Sequence, residues 1–166
     1  MKITFGKNFR LQSDDRKVTF HNVTDLVKET VAESGIKEGI VTVYSHHTTC
    51  SVITQEAAFD MSMTGLETLQ QDLVDVMYRI APLCTREGIY LHPGPKALKF
   101  AEEHGEDARG CHNTDAHLIS SIIGRSVTGV IRDGVPDLGD FGFIYFIDFD
   151  TTRARSRTVD VMVIGD

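Results

Sequence analysis

Apolar residues follow two different spacings along this chain, and each spacing predicts a different kind of element. A spacing of three and four runs from Leu66 to Ile80, is closed by Pro82, and predicts the longest helix. Shorter stretches of the same kind predict helices over residues 24–35 and 114–124. Alternating or continuous apolar runs predict strands over residues 39–44, 50–54, 126–131, 141–149 and 158–163.

This order of elements predicts an α+β fold: a single domain over residues 1–166, built as an antiparallel or mixed β-sheet sandwich with packed helices. The run from Phe143 to Ile147 is apolar on both faces and predicts a central strand. A chain of 166 residues, 41% of them hydrophobic, is long enough for one good core and too short for two ordinary catalytic domains.

The first part of the chain is predicted to be a β-hairpin. Its extended pieces are Ile3-Thr4-Phe5 and the stretch from Lys17 to Phe20, and the polar turn Ser13-Asp14-Asp15 lies between them. Thr24 then has the chemistry of a helix N-cap, and Gly35 is a typical helix stop.

Two segments between the predicted elements are rich in polar residues. The segment from Cys84 to Gly110 is predicted to cross the surface, with a short helix near residues 96–103. His46 and His47 follow the strand of residues 39–44, and continued alternation would place them on opposite faces.

Composition excludes several classes of partner. The formal net charge of -7 gives no general attraction to nucleic acid, and the run Arg153, Arg155, Arg157 is the obvious local cluster of cations. No apolar segment approaches the roughly 20 residues that span a bilayer, and the first residues lack a signal peptide, so a cytoplasmic protein without membrane contact is expected. Three widely spaced cysteines predict reduced thiols.

Histidine carries the most informative chemistry in this sequence. His47 follows a strand, His92 lies in a loop, and His117 begins a helix, so a compact fold could bring all three together. Three imidazoles and a water would form an open, catalytic zinc site. A single histidine is more often a surface or hydrogen-bonded residue, so a His-centred site with or without a metal is the hypothesis.

Acids and arginines complete the set of candidates. Glu56 and Asp115 could orient an imidazole or act as general base, although either could equally serve at the start of a helix. Arg153 and Arg155 would share a face of an extended segment and form a fork for phosphate or carboxylate, or else lie in a solvated turn. The Gly-rich stretch of residues 133–142 feeds a strand, so no nucleotide cofactor is indicated.

Several blocks together resemble the YjbQ-like family of small proteins, some of which are described as secondary thiamin-phosphate synthases. The matching pieces are His47-Thr48-Thr49-Cys50-Ser51, Glu56, Asp72, Tyr90-x-His92, Asn113-x-Asp115-Ala116-His117-Leu118 with Ser121 and Gly124, Arg153-x-Arg155, and Gly165. They cover most of the chain in the order that the family has them.

The resemblance implies an α+β fold, a homotrimer, and a pocket near the histidines, at a subunit interface, that holds a metal ion or an anion. It implies that His47, His92 and His117 are the family's recurring histidines and that Arg155 matches an arginine of its C-terminal block. The activity it implies joins a pyrimidine methyl diphosphate to a thiazole phosphate with loss of pyrophosphate, with Arg153 and Arg155 or a metal neutralising the leaving group.

Two departures from the family pattern concern the pocket. Leu138-Gly139-Asp140-Phe141-Gly142 stands where many members have Leu-Gly-Thr-Trp-Gln, and extra residues lie around 61–67. Two alternatives therefore remain open: a hydrolase with a His-bound zinc and Glu56 as base, or a trimeric ligand-binding or regulatory protein without chemistry.

Overall fold

The computed structural model describes residues 4–166 and places thirteen elements in that range. The strands are β1 Thr4–Gln12, β2 Thr19–Asn22, β3 Gly39–Tyr44, β4 Cys50–Glu56, β5 Ser126–Arg132, β6 Val135–Asp137, β7 Gly142–Asp148 and β8 Ser156–Gly165. The helices are α1 Thr24–Ser34, α2 Thr68–Ile80, α3 Pro95–Glu103 and α4 Thr114–Ile123, and a short 3₁₀ helix covers Ala108–Cys111. The predicted α+β class is confirmed.

The strands form two antiparallel sheets. One has the order β1-β8-β3-β5-β6, the other has the order β2-β7-β4, and every strand pairing within residues 4–166 is antiparallel. The central position of β7, between β2 and β4, confirms the prediction from its apolar sequence.

Alternate side chains of β7 enter two different cores. Ile144 and Phe146 pack with the inward residues of the five-stranded sheet and of α1. Tyr145 and Ile147 pack on the other side, with residues of α2 and α4 such as Met77. The three-stranded sheet is therefore a middle layer that fixes both the larger sheet and the two helices around it.

The predicted N-terminal hairpin is wrong. β1 pairs with β8 over Thr4–Gln12, while β2 pairs with β7 in the other sheet. Alternation shows that a segment is a strand, but strand partners are chosen by packing of residues far apart in sequence. Ile3, which was part of that prediction, lies outside the described residues.

The ends of the helices agree with the sequence in part. Gly35 closes α1 in the left-handed conformation, with φ of 71°. Thr24 is not the N-cap, because Val23 holds that position and the Thr24 hydroxyl instead accepts a hydrogen bond from the Ile144 amide. No helix in the described part of the chain is long and apolar enough to cross a membrane.

Candidate functional site

Four separate segments enclose a cavity of about 370 Å³ at one end of the two sheets. They are the β3–β4 connection, the segment from His92 to Cys111 that contains α3, the start of α4, and the β7–β8 connection. The lining residues are His46, His47, Thr48, Thr49, His92, Ala97, Glu106, Gly110, Cys111, Asn113, His117, Asp150, Arg153, Arg155 and Arg157. The structure thus brings the three predicted histidines and both predicted arginines to one place.

Backbone pairing holds the two β connections side by side. The Phe149 amide donates to the Thr49 carbonyl at 3.1 Å, directly after β7 and directly before β4. The Ser120 hydroxyl of α4 donates to the Cys50 carbonyl at 2.6 Å. These bonds fix the start of α4, and with it His117, relative to the His46–Thr49 segment.

His47 has a protonation pattern set by the backbone. The Thr158 amide donates to its Nε2 at 2.9 Å. Because a backbone amide can only donate, Nε2 must carry the lone pair and Nδ1 the proton. Burial lowers the pKa of His47, and the neighbouring His46 and Arg157 lower it further, which keeps this ring neutral.

His46 also lines the cavity, contrary to the expectation that the two neighbouring histidines face opposite ways. Their ring centroids are 4.1 Å apart. β3 ends at Tyr44, so the backbone at 46–47 is not a strand and strand alternation does not apply there. His46 Nδ1 lies 3.6 Å from the Asp160 carboxylate.

His92 and His117 have the same tautomer as His47, with the proton on Nδ1. The Thr114 hydroxyl donates to the His92 carbonyl at 2.8 Å, so His92 Nδ1, 2.9 Å from that hydroxyl oxygen, is the donor. His117 Nδ1 lies 3.3 Å from the Thr48 carbonyl, which can only accept. In its neutral form each ring therefore keeps the lone pair on Nε2, and the two ring centroids are 5.6 Å apart.

Burial lowers the pKa of His117, and the nearby His92 ring and Arg157 act in the same direction. The Thr48 carbonyl and Asp150 raise it by less. His117 is therefore neutral at pH 7 and offers a proton acceptor inside the cavity.

Arg153 and Arg155 lie in the β7–β8 connection, since β8 begins only at Ser156. Arg153 Nη2 donates to Glu106 Oε2 at 2.8 Å, and Arg155 Nη2 lies 3.9 Å from the same oxygen. Arg155 Nε is 4.0 Å from Asp150 Oδ2, too far for a hydrogen bond. Both Nε atoms are buried, and neither has a hydrogen-bond partner within residues 4–166.

A buried ionic network lies beneath these arginines. Arg157 donates to Asp148 from Nε at 2.6 Å and from Nη2 at 3.2 Å, and its Nη2 also donates to the Thr49 hydroxyl. Asp150 Oδ2 accepts from Asn113 at 3.0 Å and lies 3.7 Å from Arg157 Nη2. The side chains of Arg157, Asp148 and Asp150 are 7%, 0% and 1% exposed. This network fixes the floor of the cavity.

The two predicted acids lie elsewhere. Glu56 is exposed at the far end of β4, opposite Gly142, whereas Cys50 at the near end pairs with Asp148. Glu56 lies six positions along the strand from Cys50, so the distance between the two ends of β4 is about 20 Å. Asp115 accepts from the Cys84 amide at 3.1 Å and lines a second cavity of about 230 Å³. Burial raises the pKa of Asp115.

The expected three-histidine zinc site does not fit this arrangement. The one lone pair of His47 is already used by the Thr158 amide, which leaves two of the three predicted histidine ligands, His92 and His117. Among the described residues, no group of three or more His, Cys, Asp or Glu side chains is placed to bind one ion. Three arginines at the same cavity further disfavour a cation.

Sequence reasoning missed the residues whose role depends on three-dimensional contacts. They are His46, Asn113, Asp148, Asp150 and Glu106. Arg157 was recognised as part of the cationic run, but its buried pair with Asp148 was not. Asp148 and Asp150 had a signal in the sequence, because they follow an apolar strand. A carboxylate in such a place is rarely buried without a partner.

Fold and site together define a small α+β protein with a cavity lined by histidine and arginine. The family model described as UPF0047 protein YjbQ-like matches residues 7–166, so the chain belongs to that family.

Relatives and solved structures agree with this membership. A UPF0047 protein from Methanocaldococcus jannaschii is 30% identical over 145 residues, which are 87% of this chain and 84% of the relative. The UPF0047 protein YugU from Bacillus subtilis is 26% identical over 85% of this chain and 87% of its own length. A crystal structure of a YjbQ/UPF0047 family protein from Clostridium acetobutylicum has a TM-score of 0.70 at 26% identity, covering 95% and 99% of the two chains.

A more distant structure shows that the fold is shared. A YbjQ-like protein of unknown function from Sulfolobus solfataricus P2 has a TM-score of 0.74 at 20% identity and covers 98% of both chains. The architecture is therefore common to proteins whose sequences have largely diverged.

Proposed function

We propose that this chain is a small enzyme that acts on a phosphorylated small molecule by general-base catalysis. One observation carries the proposal. The cavity places two buried arginine Nε donors without partners among the described residues beside two histidines that keep their Nε2 lone pairs. An anionic group would accept hydrogen bonds from the two arginine Nε donors, and a histidine Nε2 would accept a proton from the reacting group.

The arginines supply the binding site for phosphate. A guanidinium presents several N–H donors in a rigid fork that matches phosphate oxygens. Arg155 lies 4.0 Å from Asp150, which is fixed by Asn113 and Thr152, and Arg153 is held by Glu106. Because these donors are oriented before the ligand arrives, they also stabilise charge that develops on the phosphate during reaction.

The histidines divide into a donor and two acceptors. His47 can only donate from Nδ1, while His117 and His92 can accept at Nε2. In the proposed step His117 takes a proton from a water molecule while the oxygen of that water attacks phosphorus. A new P–O bond forms, the ester P–O bond breaks, and its electron pair leaves on the departing oxygen.

The thiamin-phosphate synthase reaction is the second candidate, and the arginine pair favours it. The thiazole nitrogen would attack the pyrimidine methylene carbon, a C–N bond would form, and the C–O bond would break with its electrons leaving on pyrophosphate. Arg153 and Arg155 suit that leaving group. This displacement requires no base, so the Nε2 lone pairs of His92 and His117 would have no role in it.

The experiment measures both reactions with one protein. Purified protein is given p-nitrophenyl phosphate in one assay and the two thiamin-phosphate precursors in the other, with EDTA present and absent. We expect phosphate release that EDTA does not stop and that His117→Gln slows about 100-fold or more. His104→Gln is the matched control, because His104 is exposed, does not line the cavity, and contacts Phe100 of its own helix by a hydrogen bond and ring stacking.

The other outcomes decide between the alternatives. Formation of thiamin phosphate and pyrophosphate in equal amounts would overturn the proposed hydrolysis in favour of thiamin-phosphate synthesis. Saturable binding of phosphate compounds without turnover of either probe would leave a ligand-binding or regulatory protein. A cytoplasmic homotrimer is part of this proposal: the family resemblance implies the trimer, and the location is the one expected from the sequence. Sedimentation at a mass other than that of three chains would overturn the trimer.

A further inference from the structure

Glu106, on the α3 side of the cavity, is a carboxylate that contacts both predicted phosphate-binding arginines. Its Oε2 is 2.8 Å from Arg153 Nη2 and 3.9 Å from Arg155 Nη2. One oxygen shared by two guanidinium groups is also how a phosphate oxygen is commonly held. Glu106 therefore takes the position at the arginine pair that a ligand's anionic group requires.

The carboxylate satisfies the two arginines only in part. Arg153 and Arg155 each keep a buried Nε without a hydrogen-bond partner in the described range. A phosphate has more acceptor oxygens and more charge than a carboxylate, so it can reach both Nε and Nη2 donors. Exchanging Glu106 for a phosphate group would thus complete the unfinished hydrogen bonding.

Glu106 can leave at low cost, whereas the neighbouring Asp150 cannot. The Glu106 side chain is 43% exposed, and within residues 4–166 it has no hydrogen bond besides the one from Arg153, while its backbone amide donates to the Ala101 carbonyl. Asp150 is buried and accepts from Asn113 and Thr152. The site therefore combines one fixed carboxylate with one that can turn into solvent.

The segment that carries Glu106 is lightly attached to the rest of the protein. Nearly all residues from Pro95 to Ala108 are exposed or half-buried, and Ala101 is the buried exception. The ion pair between Glu106 and Arg153 links this segment to the β7–β8 connection. Displacing Glu106 removes that link, so it would loosen the segment that forms one wall of the cavity.

We infer that Glu106 is an internal competitor for Arg153 and Arg155, which a phosphate ligand must displace, and that displacement loosens residues 95–111. The inference rests on the proposed phosphate site. Glu106 then favours strongly bound anions. An anion that interacts with the arginines no better than a carboxylate has no net binding free energy from replacing Glu106.

The test compares the full-length protein with Glu106→Gln and Glu103→Gln. Both variants remove one negative charge from the same segment, but Glu103 pairs with Lys99 on α3 and does not line the cavity. Pyrophosphate binding is measured by calorimetry, and hydrogen exchange of residues 95–111 is followed by mass spectrometry with and without pyrophosphate.

We expect Glu106→Gln to bind pyrophosphate about fivefold more tightly than the wild type and Glu103→Gln to bind it equally. Pyrophosphate should speed exchange of residues 95–111 in the wild type, and in Glu106→Gln exchange should already be fast. Equal affinity of all three proteins, or slower exchange on binding, would overturn the inference while leaving the phosphate site intact. No binding by any of them would overturn the phosphate site and the inference together.

Discussion

Arg157 holds Asp148 with two parallel hydrogen bonds, of 2.6 and 3.2 Å, under the floor of the cavity. Both side chains are almost completely buried, and they join the start of β8 to the end of β7. The pair thus couples the stability of the sheets to the shape of the site. Buried pairs of this kind are costly to break, because the remaining charge is left without compensation.

Replacing Arg157 by methionine should destabilise the protein strongly. We expect the free energy of unfolding to fall by about 3–5 kcal/mol, since Asp148 would keep a buried charge. Urea denaturation measures this effect. Arg132→Met is the control: Arg132 is 68% exposed and pairs with Asp137 at 3.4 Å, so its loss should cost no more than about 1 kcal/mol. Equal effects of the two changes would show that the buried pair is not structural.

Stability should decrease on mild acidification. Burial lowers the folded-state pKa of His21, His47 and His117 below the ordinary value of 6.5. The unfolded chain then binds protons more readily, so the stabilisation is fully present above pH 6.5 and is lost as the pH falls through the folded-state values. Urea denaturation at several pH values between 7.5 and 5 should show this loss, and His117→Gln should make it smaller. A pH dependence that the variant leaves unchanged would contradict the assignment.

The same protonation should control catalysis. Since His117 must be neutral to accept a proton, phosphate release should rise with pH through its lowered pKa and reach a plateau by neutral pH. His92 and Arg157 lower this pKa, and Asp150 opposes them. Replacing His92 by glutamine should therefore move the midpoint of the profile to higher pH. A midpoint that stays in place would remove His117 from the base role.

Glu56 should be dispensable for the site. It lies on the far end of β4, and the cavity is lined without it. We expect Glu56→Gln to retain wild-type phosphate release and pyrophosphate binding, in contrast to His117→Gln. Loss of activity in Glu56→Gln, with unchanged stability, would require a second arrangement of the chain.

Any divalent metal should be bound by His92 and His117 and not by His47. Zinc added in solution should therefore bind weakly and be lost on dialysis, because two imidazoles are fewer ligands than a stable protein site provides. Calorimetry with zinc should give the same result for His47→Gln as for the wild type and no binding for His92→Gln/His117→Gln. One tightly held zinc per chain that His47→Gln abolishes would contradict the tautomer assignment.

Periodicity identified the helices and most strands because burial on one face leaves a mark in the local sequence. It could not show that β1 pairs with β8 and β2 with β7, since strand partners depend on packing across the whole chain. The sequence also pointed to His47, His92, His117, Arg153 and Arg155, which the structure brings to one cavity.

The hydrogen-bonding roles of those residues could not be predicted from the sequence. Which nitrogen of His47 carries the proton depends on the Thr158 amide, 111 positions away. Glu106 and Asp150 were not recognised, because an acid in a loop has no local mark of the arginine that it will contact. Glu56 lies only nine positions after His47 in the sequence, but the extended strand β4 carries it away from the site.

The central claim is that a phosphate group binds at Arg153 and Arg155. Guanidinium Nε–H resonances, assigned in the ¹⁵N spectrum of the intact protein, report directly on the two donors that lack partners in the described structure. On titration with pyrophosphate, these two signals should shift together and saturate, and Arg155→Gln should weaken the binding about tenfold or more. Binding that shifts neither signal, or that is equally tight in Arg155→Gln, would contradict the account.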